Sequence, residues 1–593
     1  MYIGPSSTPT RPDLKVILMS ATLNAELFSQ YFGGVPMYNI PSVVFPVARY
    51  FLEDVLQMTR FCPPPPTRRG PPSWVRHLRG QAEAMEKKRT EEQERAEYIA
   101  SLEAKRTYPP YVVEALRNMD GDQVPLELML ELVKTICREG ELGAILVFLP
   151  GWDTISKLHD MLKSDPVFRS RNYLIIPLHS LMPTSFQQSV FDRPPEGVRK
   201  IVIATNIAET SITIEDVVYV IDCGKVKETT YDVTNQLACL EAVWVSKAAA
   251  KQRKGRAGRV QPGKCYHLFT KHQLEGLADY QVPEMLRTPL EELILQIKIL
   301  KLGAVAAFLN KALEPPSETA VLNAITSLQQ LNALDGEENL TSLGYHLANL
   351  PVNPRVGKII LFAAMFSCLS PVLTIASSLG FKEPFIIPLH KQEEADEVKR
   401  KLAEESRSDH IALLRAYEGW EDACHERNAR DYCWEHFLSH NTLELLKNMK
   451  KQFCGLLYDT GFVHCPDPDH DEANHNSANT KLIKAVLCAG LYPNVAKIVQ
   501  TRPDRPPKLY DQDTKVKFHP KSVNSDETTF DNKFVIYHTK VKSTAVFLHD
   551  TSMILPSPSS SSEETSLSRE TETNRSLLST SGSSSRLPTA LPC

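Results

Sequence analysis

The chain has 593 residues, of which 42% are hydrophobic and 23% charged, and its formal net charge at pH 7 is -4. This length predicts several domains, most of which can bury a core. The net negative charge argues against a protein that coats nucleic acid through bulk positive charge, so any nucleic-acid site is expected to be a local channel. The 12 cysteines are scattered and residues 1–12 contain no apolar signal segment, which predicts reduced thiols and a location in the cytoplasm and nucleus.

Near the start of the chain, one apolar run precedes a long polar segment. Residues 14–19 predict a β-strand, followed at once by residues 20–22 (Ser-Ala-Thr). Four consecutive prolines at 63–66 and a stretch rich in Glu, Lys and Arg at 83–106 then predict a surface loop that leads into a solvated helix. Docking of a partner is the alternative for this segment, and a solvated insertion is favoured.

From Gly143 onward, short apolar runs alternate with polar or glycine-rich turns. The runs that predict strands are 145–149, 173–178, 201–204 and 217–221. Near-continuous apolar runs of this length suit central parallel strands that are covered on both faces, and residues 154–163 have helical spacing between two of them. This βαβ order predicts an α/β domain, whose ligands bind at the carboxyl ends of the strands.

After about Tyr280 the pattern becomes mainly helical. Residues 359–381 contain no charge, but the serines and Pro371 within them predict a pair of buried helices rather than a membrane span. β-Branched and aromatic runs between 481 and 550 predict a small β-rich domain. Beyond Pro556 the sequence is mostly Ser, Thr and Glu, which predicts a disordered tail.

Residues 245–264 carry seven Lys or Arg and no acid. Such a run is usually a solvated face. Gly255 and Gly258 instead allow the backbone to pass close to a ligand. Arg256 and Arg259 are three residues apart, so on a helical turn they point the same way, and arginine suits bidentate contact with phosphate oxygens. The residues alone leave both readings open: a solvated face, or two arginines for a transferring phosphoryl group.

Motif resemblance favours the second reading. Residues 252–259 (QRKGRAGR) resemble motif VI of the DEAH-box RNA helicases, and residues 204–213 (ATNIAETSIT) resemble motif V of that family. In this order and spacing the two motifs are highly specific. Further resemblances are to motif III at 20–22, to motif IV at 146–153, and to the segment that follows motif IV at His179, Ser180, Gln187 and Phe191.

The resemblance implies roles for individual residues. Gln252, Arg256 and Arg259 would face the β- and γ-phosphates of ATP as catalytic residues. Glu215, where the family often has Asp, would lie near the nucleoside, and Thr22 would couple the nucleotide state to the grip on RNA. The residues expected along the nucleic-acid backbone are Thr205, Asn206, Gly151 and Ser180. A plain turn at Gly151 and a strand cap at Thr205 are the alternatives.

The resemblance continues beyond this domain and implies a fold class: an α/β RecA-like C-terminal helicase domain followed by winged-helix, helical ratchet and partial OB-fold domains, with a disordered tail. The residues that carry it are 328–335 and 343–344 for the winged helix, 408–410 and Trp420 for the ratchet, and 488–496 and 519–524 for the OB-fold. The predicted divisions are 1–55 as a remnant of a first RecA-like domain, 56–125 as a linker, then 126–275, 276–350, 351–455 and 456–552 for the four domains, and 553–593 for the tail.

The family implies ATP and Mg²⁺ as cofactors of the full-length protein, and single-stranded RNA or DNA as partners. The segments 146–152, 200–222 and 431–434 are most similar to the G-quadruplex-resolving members, which adds the G-quadruplex. Protein partners could use the OB-fold and winged helix; no membrane is expected.

Two sequence elements of an ATP site are not found. No G-x-x-x-x-G-K-[ST] occurs, nor does Asp-Glu-Ala-His; residues 471–475 (DEANH) have one residue too many and follow no apolar strand. We therefore expect an N-terminally truncated chain without ATPase activity of its own. The alternative function is a nucleic-acid-binding or partner-binding module. No metal site is expected, because Cys465, His470 and His475 share one loop without a second cluster at zinc spacing.

Overall fold

The computed structural model describes residues 15, 17–19, 24–38, 40, 45–63, 82–139, 142–179, 189–210, 214–232, 237–387, 391–500, 507–512, 514–543 and 545–554. Thr22, Ser180 and Gln187 lie outside these residues, as does the predicted tail from 555 onward. Of the strand predicted at 14–19, residues 15 and 17–19 are described and form no strand.

The helices are, in chain order, α1 (Ala25–Tyr31), α2 (Leu52–Thr59), α3 (Ala82–Lys105), α4 (Pro110–Asn118), α5 (Leu126–Arg138), α6 (Trp152–Ser164), α7 (Ile207–Thr210), α8 (Lys247–Gly255), α9 (Lys271–Gly276), α10 (Glu291–Ile299), α11 (Val305–Leu309), α12 (Glu318–Gln330), α13 (Ser342–Ala348), α14 (Pro354–Met365), α15 (Leu369–Gly380), α16 (Gln392–Ala403), α17 (Asp409–His425), α18 (Ala429–Glu435), α19 (His440–Asp459) and α20 (Thr480–Leu491).

The strands are, in chain order, β1 (Val47–Tyr50), β2 (Ala144–Phe148), β3 (Tyr173–Leu178), β4 (Arg199–Ala204), β5 (Val217–Asp222), β6 (Lys225–Asp232), β7 (Leu237–Trp244), β8 (Gly263–His267), β9 (Val495–Val499), β10 (Lys508–Asp511), β11 (Thr514–Phe518), β12 (Phe534–Lys542) and β13 (Val546–Met553).

The described residues form two compact units. The first comprises those up to Thr288, together with 306–318 and 387; the second comprises 289–305, 319–386 and those from Lys391 onward.

A parallel sheet of order β1-β8-β5-β2-β4-β3 forms the centre of the first unit. Every residue of β2 and β5 is buried. Side chains alternate between two hydrophobic clusters, since Ile145 and Val147 belong to one and Leu146 and Phe148 to the other. The sheet is therefore covered on both faces, and the four strands predicted from apolar runs are confirmed together with the helix at α6.

Two elements that precede residue 126 join this unit. β1 pairs in parallel with β8, so residues 47–50 form the first strand of the sheet. The charged helix α3 also packs into this unit: Ile99 and Leu102 are buried in the core, and Arg95 donates to the carbonyl oxygens of Leu116 and Met119 at 2.8 and 2.6 Å. Two apolar side chains per few turns are enough to bury one end of a helix that is otherwise polar.

The second unit begins with helical elements. α12 and α13 are joined by a turn that the bridge between Leu334 and Leu340 closes. The uncharged stretch 359–381 forms α14 and α15, which are separated at residues 366–368. This confirms the pair of buried helices, and Pro371 lies in the first turn of α15, where its missing N–H is tolerated. Among the described residues, no helix is both long and apolar enough to cross a membrane.

Five strands of the second unit form a closed ring. β9, β10 and β11 pair antiparallel in sequence, β11 pairs in parallel with β13, β13 pairs with β12, and β12 returns to β9. The inward side chains, among them Ala496, Val535 and Leu548, form one core. This ring is the OB-fold domain expected from the sequence, and its last strand, β13, extends to Met553.

Candidate functional site

Helix α8 carries most of the motif VI sequence. Its first turn is capped by Ser246, whose Oγ accepts from the N–H of Ala249 at 3.1 Å. The helix ends at Gly255, and residues 256–258 continue as a tight turn in which each N–H donates to the carbonyl three residues before it. Arg256 and Arg259 therefore project from the turn after the helix.

Arg253 anchors this helix to the sheet, and its side chain is only 1% exposed. Its Nη1 donates to Asp222 Oδ1 at 2.8 Å, and its Nε donates to Glu209 Oε2 at 3.1 Å. The guanidinium also lies 4.9 Å from the centre of the Phe148 ring. The single side chain of Arg253 thus connects motif VI to the carboxyl ends of β2 and β5 and to Glu209 of motif V.

Asp222 is the buried anion of this cluster. Its second oxygen contacts Nδ1 of His267 at 3.2 Å, and both side chains are fully buried. Burial alone would raise the pKa of the Asp222 carboxyl, but the charge of Arg253 and the hydrogen bond of His267 hold it well below its usual range. Burial likewise raises the pKa of Glu209, and Arg253 opposes that rise. Asp222 is therefore ionised at neutral pH.

Arg256 is buried beside this cluster, and its Nη2 donates to the carbonyl oxygen of Glu209. Burial lowers the pKa of Arg256 to about 10, and the charge of Arg259 contributes to the decrease. The two guanidinium groups are therefore near enough to repel each other. Arg259 itself is exposed and Gln252 is half-buried on α8. An anion between the two arginines would relieve this repulsion.

The predicted nucleic-acid contacts that are described lie at strand ends. Thr205 follows β4 and its N–H donates to the carbonyl of Leu178 at the end of β3, at 3.4 Å. Asn206 is exposed in the next position. Gly151 precedes α6 in extended backbone, and an added Cβ would lie 3.2 Å from Cδ of Lys227. The sheet thus brings Gly151, Thr205 and Asn206 to its carboxyl edge.

Glu215 lies elsewhere. It occupies the turn before β5 and forms an exposed ion pair with Arg193 at 3.3 Å. β5 has six residues between this turn and its carboxyl end, which is about 20 Å at the rise of an extended strand. Glu215 and Asp222 therefore occupy opposite ends of the strand. Thr22 and Ser180 stay predictions, because they lie outside the described residues.

The sequence arguments did not single out Arg253, Asp222 or Glu209. The only available signal was their position: Arg253 and Glu209 stand inside motifs VI and V, and Asp222 is an acid that directly ends an apolar run. Among the described residues, no group of three or more His, Cys, Asp or Glu side chains could hold a metal ion.

A second buried polar cluster joins two of the motifs in the second unit. Asp409 Oδ2 accepts from Ser522 Oγ at 2.7 Å and from Thr551 N at 2.8 Å, while Oδ1 accepts from Val523 N at 2.9 Å. Asp409 begins α17, Val523 precedes β12, and Thr551 lies on β13. The segments predicted for the ratchet and for the OB-fold are therefore held together by one carboxylate.

Family comparisons match four parts of the chain. They are the helicase conserved C-terminal domain at residues 126–261, the winged-helix part of the helicase associated domain (HA2) at 324–352, its ratchet-like part at 353–413, and an oligonucleotide/oligosaccharide-binding (OB)-fold at 483–558.

Similar proteins bear helicase names. The ATP-dependent DNA/RNA helicase DHX36 of Homo sapiens is 54% identical over 92% of this chain and 55% of its own length. The DExH-box ATP-dependent RNA helicase DExH1 of Arabidopsis thaliana is 46% identical over 92% of this chain and 54% of its own length. The putative ATP-dependent RNA helicase DHX57 of Homo sapiens is 40% identical over 92% of this chain and 44% of its own length. The chain thus spans about half the length of the curated relatives it matches.

Proposed function

Because the chain belongs to the DEAH-box helicases and corresponds to their C-terminal part, we propose that it contributes one wall of the ATP site and several nucleic-acid-binding surfaces of an ATP-dependent helicase. The expected activity is 3′-to-5′ movement along single-stranded RNA or DNA, with unwinding of RNA or G-quadruplexes. The observation that carries the proposal is the Arg253–Asp222–Glu209 cluster, which holds the turn with Arg256 and Arg259 in place.

The residues present fit one side of a triphosphate. Arg256 donates to the Glu209 carbonyl, a guanidinium carries five N–H donors in all, and Arg259 is exposed. ATP, when bound, supplies the phosphoryl group whose developing negative charge has to be stabilised. Arg256 and Arg259 would offset that charge, and Gln252 would face the β- and γ-phosphates beside them. An arginine in this role contributes about 10³ to 10⁵ in rate.

Glu209 is the residue through which the two motifs would communicate. Its side chain accepts from Arg253 and its carbonyl accepts from Arg256, while its N–H donates to the carbonyl of Asn206 at 2.9 Å. A shift of either arginine would therefore be felt at Glu209 in α7 and, through Asn206, at the strand end beside Thr205. We propose that this short path couples the state of the nucleotide to the grip on nucleic acid.

ATP turnover by these 593 residues alone is not expected. The sequence contains no phosphate-binding loop of the G-x-x-x-x-G-K-[ST] type, so Arg256 and Arg259 have no opposing group that fixes the phosphates and Mg²⁺. The test is a steady-state ATPase assay of the purified chain with and without single-stranded RNA. Hydrolysis above background that Arg259→Ala abolishes, and that the exposed helix variant Lys157→Ala leaves intact, would refute this expectation.

Nucleic-acid binding is proposed independently of hydrolysis. If the strand-end residues and the OB-fold contact phosphates, affinity for a single-stranded RNA should fall steeply with salt, with a slope near −0.7 per phosphate contact. Fluorescence anisotropy between about 50 and 200 mM salt measures this slope. An affinity that does not change with salt would count against the proposal. Retained binding without ATPase activity would favour the alternative, a binding module.

Partners and location complete the proposal. The OB-fold and winged helix are proposed surfaces for protein partners, and the cytoplasm and nucleus are the proposed location. Binding of a G-quadruplex is tested by the same anisotropy assay, with a folded quadruplex and its unfolded sequence variant as the pair of ligands. Equal affinity for both would contradict quadruplex preference.

A further inference from the structure

Helix α8 carries a basic face that contains none of the residues assigned to the proposed ATP site. Lys247, Lys251 and Lys254 are spaced by four and three residues, so they share one side of the helix over about 10 Å. Arg253 lies two residues beyond Lys251, about 200° around the helix, and points into the Asp222 cluster. The three lysines are therefore directed away from Arg253.

These lysines line a cavity of about 300 Å³ in the first unit. Its other lining residues are Arg49, from the edge strand β1, and Leu274, from α9. The described lining thus contains four cations and no acid. The volume is at the lower end of the about 300–1,000 Å³ that small-molecule sites occupy, which favours a compact ligand over an extended strand.

The cations of this cavity are close enough to influence one another. Lys247 has an acid nearby and pairs with Asp279 at 2.9 Å. Lys254 is half-buried; burial lowers its pKa, and the positive charge of Arg49 lowers it further. A cation that is held partly out of water beside another cation gains stability when an anion binds between them. The arrangement of cations in the cavity therefore favours the binding of an anion.

We propose that this cavity binds a compact polyanion with several phosphate-type groups, held by Arg49, Lys247, Lys251 and Lys254. Lysine ammonium groups and the arginine fork both form charge-assisted hydrogen bonds with phosphate oxygens. The site differs from the proposed ATP wall, since Gln252, Arg256 and Arg259 are not among the residues that line it. It goes beyond the proposed function and does not depend on it.

The test is isothermal titration calorimetry of inorganic tripolyphosphate into the 593-residue chain, with sulfate at equal ionic strength as the comparison. One site is expected. The double variant Lys251→Gln, Lys254→Gln should weaken tripolyphosphate binding by about tenfold or more. Arg49→Gln, on a different element, should weaken it as well. Lys157→Gln removes one exposed helix cation outside the cavity and should leave the affinity unchanged.

Three results would overturn the proposal. One is an unchanged affinity for tripolyphosphate in both the double lysine variant and Arg49→Gln, with thermal melting showing that each variant is folded. Another is loss of binding in Arg259→Gln but not in the lysine pair, which would assign the signal to motif VI. The last is binding of a single-stranded 12-mer RNA through the same lysines with no tripolyphosphate binding, which would make the face a nucleic-acid surface.

Discussion

Replacing Asp222 by Asn tests whether motif VI is held by a buried charge. Asn has the same shape and keeps an oxygen for Arg253, but it removes the negative charge. Arg253 is 1% exposed, so after the change its charge stays buried with only Glu209 to balance it. Removing one partner of a buried ion pair destabilises proteins by about 3–5 kcal/mol. We expect a loss in this range in the stability of the first unit.

The expected loss depends on pH in a defined direction. Because the folded-state pKa of Asp222 is depressed, the carboxylate stabilises the fold above its unfolded pKa of about 3.9, and this contribution declines as pH falls below that value. The difference in unfolding free energy between the wild type and Asp222→Asn should therefore be constant between about pH 6 and 8, and it should shrink below about pH 4. High salt should change it little, because the pair is buried.

Hydrogen exchange measured by mass spectrometry isolates this effect in a chain of two units. Peptides that cover β5 and α8 should exchange faster by about two decades or more, since 1.4 kcal/mol corresponds to about tenfold. The matched control is Glu215→Gln, which breaks an exposed pair with Arg193 and should cost less than about 1 kcal/mol. Equal, small effects of the two substitutions would refute the argument that Arg253 depends on Asp222.

Three further predictions concern other positions. Asp409→Asn should lower the free energy of unfolding of the second unit by about 3–5 kcal/mol, because both oxygens of Asp409 accept from backbone and hydroxyl donors in a buried site. Differential scanning calorimetry should show this loss as a lower melting temperature. Gly151→Ala should change stability by less than about 1 kcal/mol, because the new Cβ meets only the flexible chain of Lys227, so a loss of RNA affinity in anisotropy would reflect lost backbone access. Arg256→Gln should destabilise the first unit in chemical denaturation more than Arg259→Gln does, because the Arg256 side chain is buried and the Arg259 side chain is exposed; equal effects would contradict this placement.

The local pattern of apolar residues was sufficient to predict the central strands of the parallel sheet. β2, β3, β4 and β5 are buried parallel strands, and continuous apolar runs are the direct consequence of burial on both faces. β1 was missed because its four residues, Val-Ala-Arg-Tyr, form an edge strand with a mixed pattern. Its partner β8 begins at Gly263, so the pairing is decided by tertiary contacts that no local window contains.

The same limit applies to the site. Arg256 and Arg259 could be singled out as candidates from one short segment, although only the motif resemblance favoured phosphate contact over a solvated face. The anchor could not, because Arg253 and Asp222 are 31 residues apart and Glu209 is 44 residues from Arg253. From sequence alone, Arg253 is one more cation in a basic run, and only the folded chain shows that it is the buried one.

The three arginines of this segment differ in burial and in their partners. A guanidinium that must act on a phosphate has to be both oriented and free to donate, and one side chain cannot be fully paired and fully available. Arg253 is buried and paired with two acids, Arg256 is buried and donates to the Glu209 carbonyl, and Arg259 is exposed. Arg253 fixes the end of α8, and the position of that helix end determines where Arg256 and Arg259 lie. Arg253→Lys should therefore impair ligand contact by Arg256 and Arg259 although the charge is kept, because an ammonium group cannot bridge Asp222 and Glu209 with the planar fork of arginine.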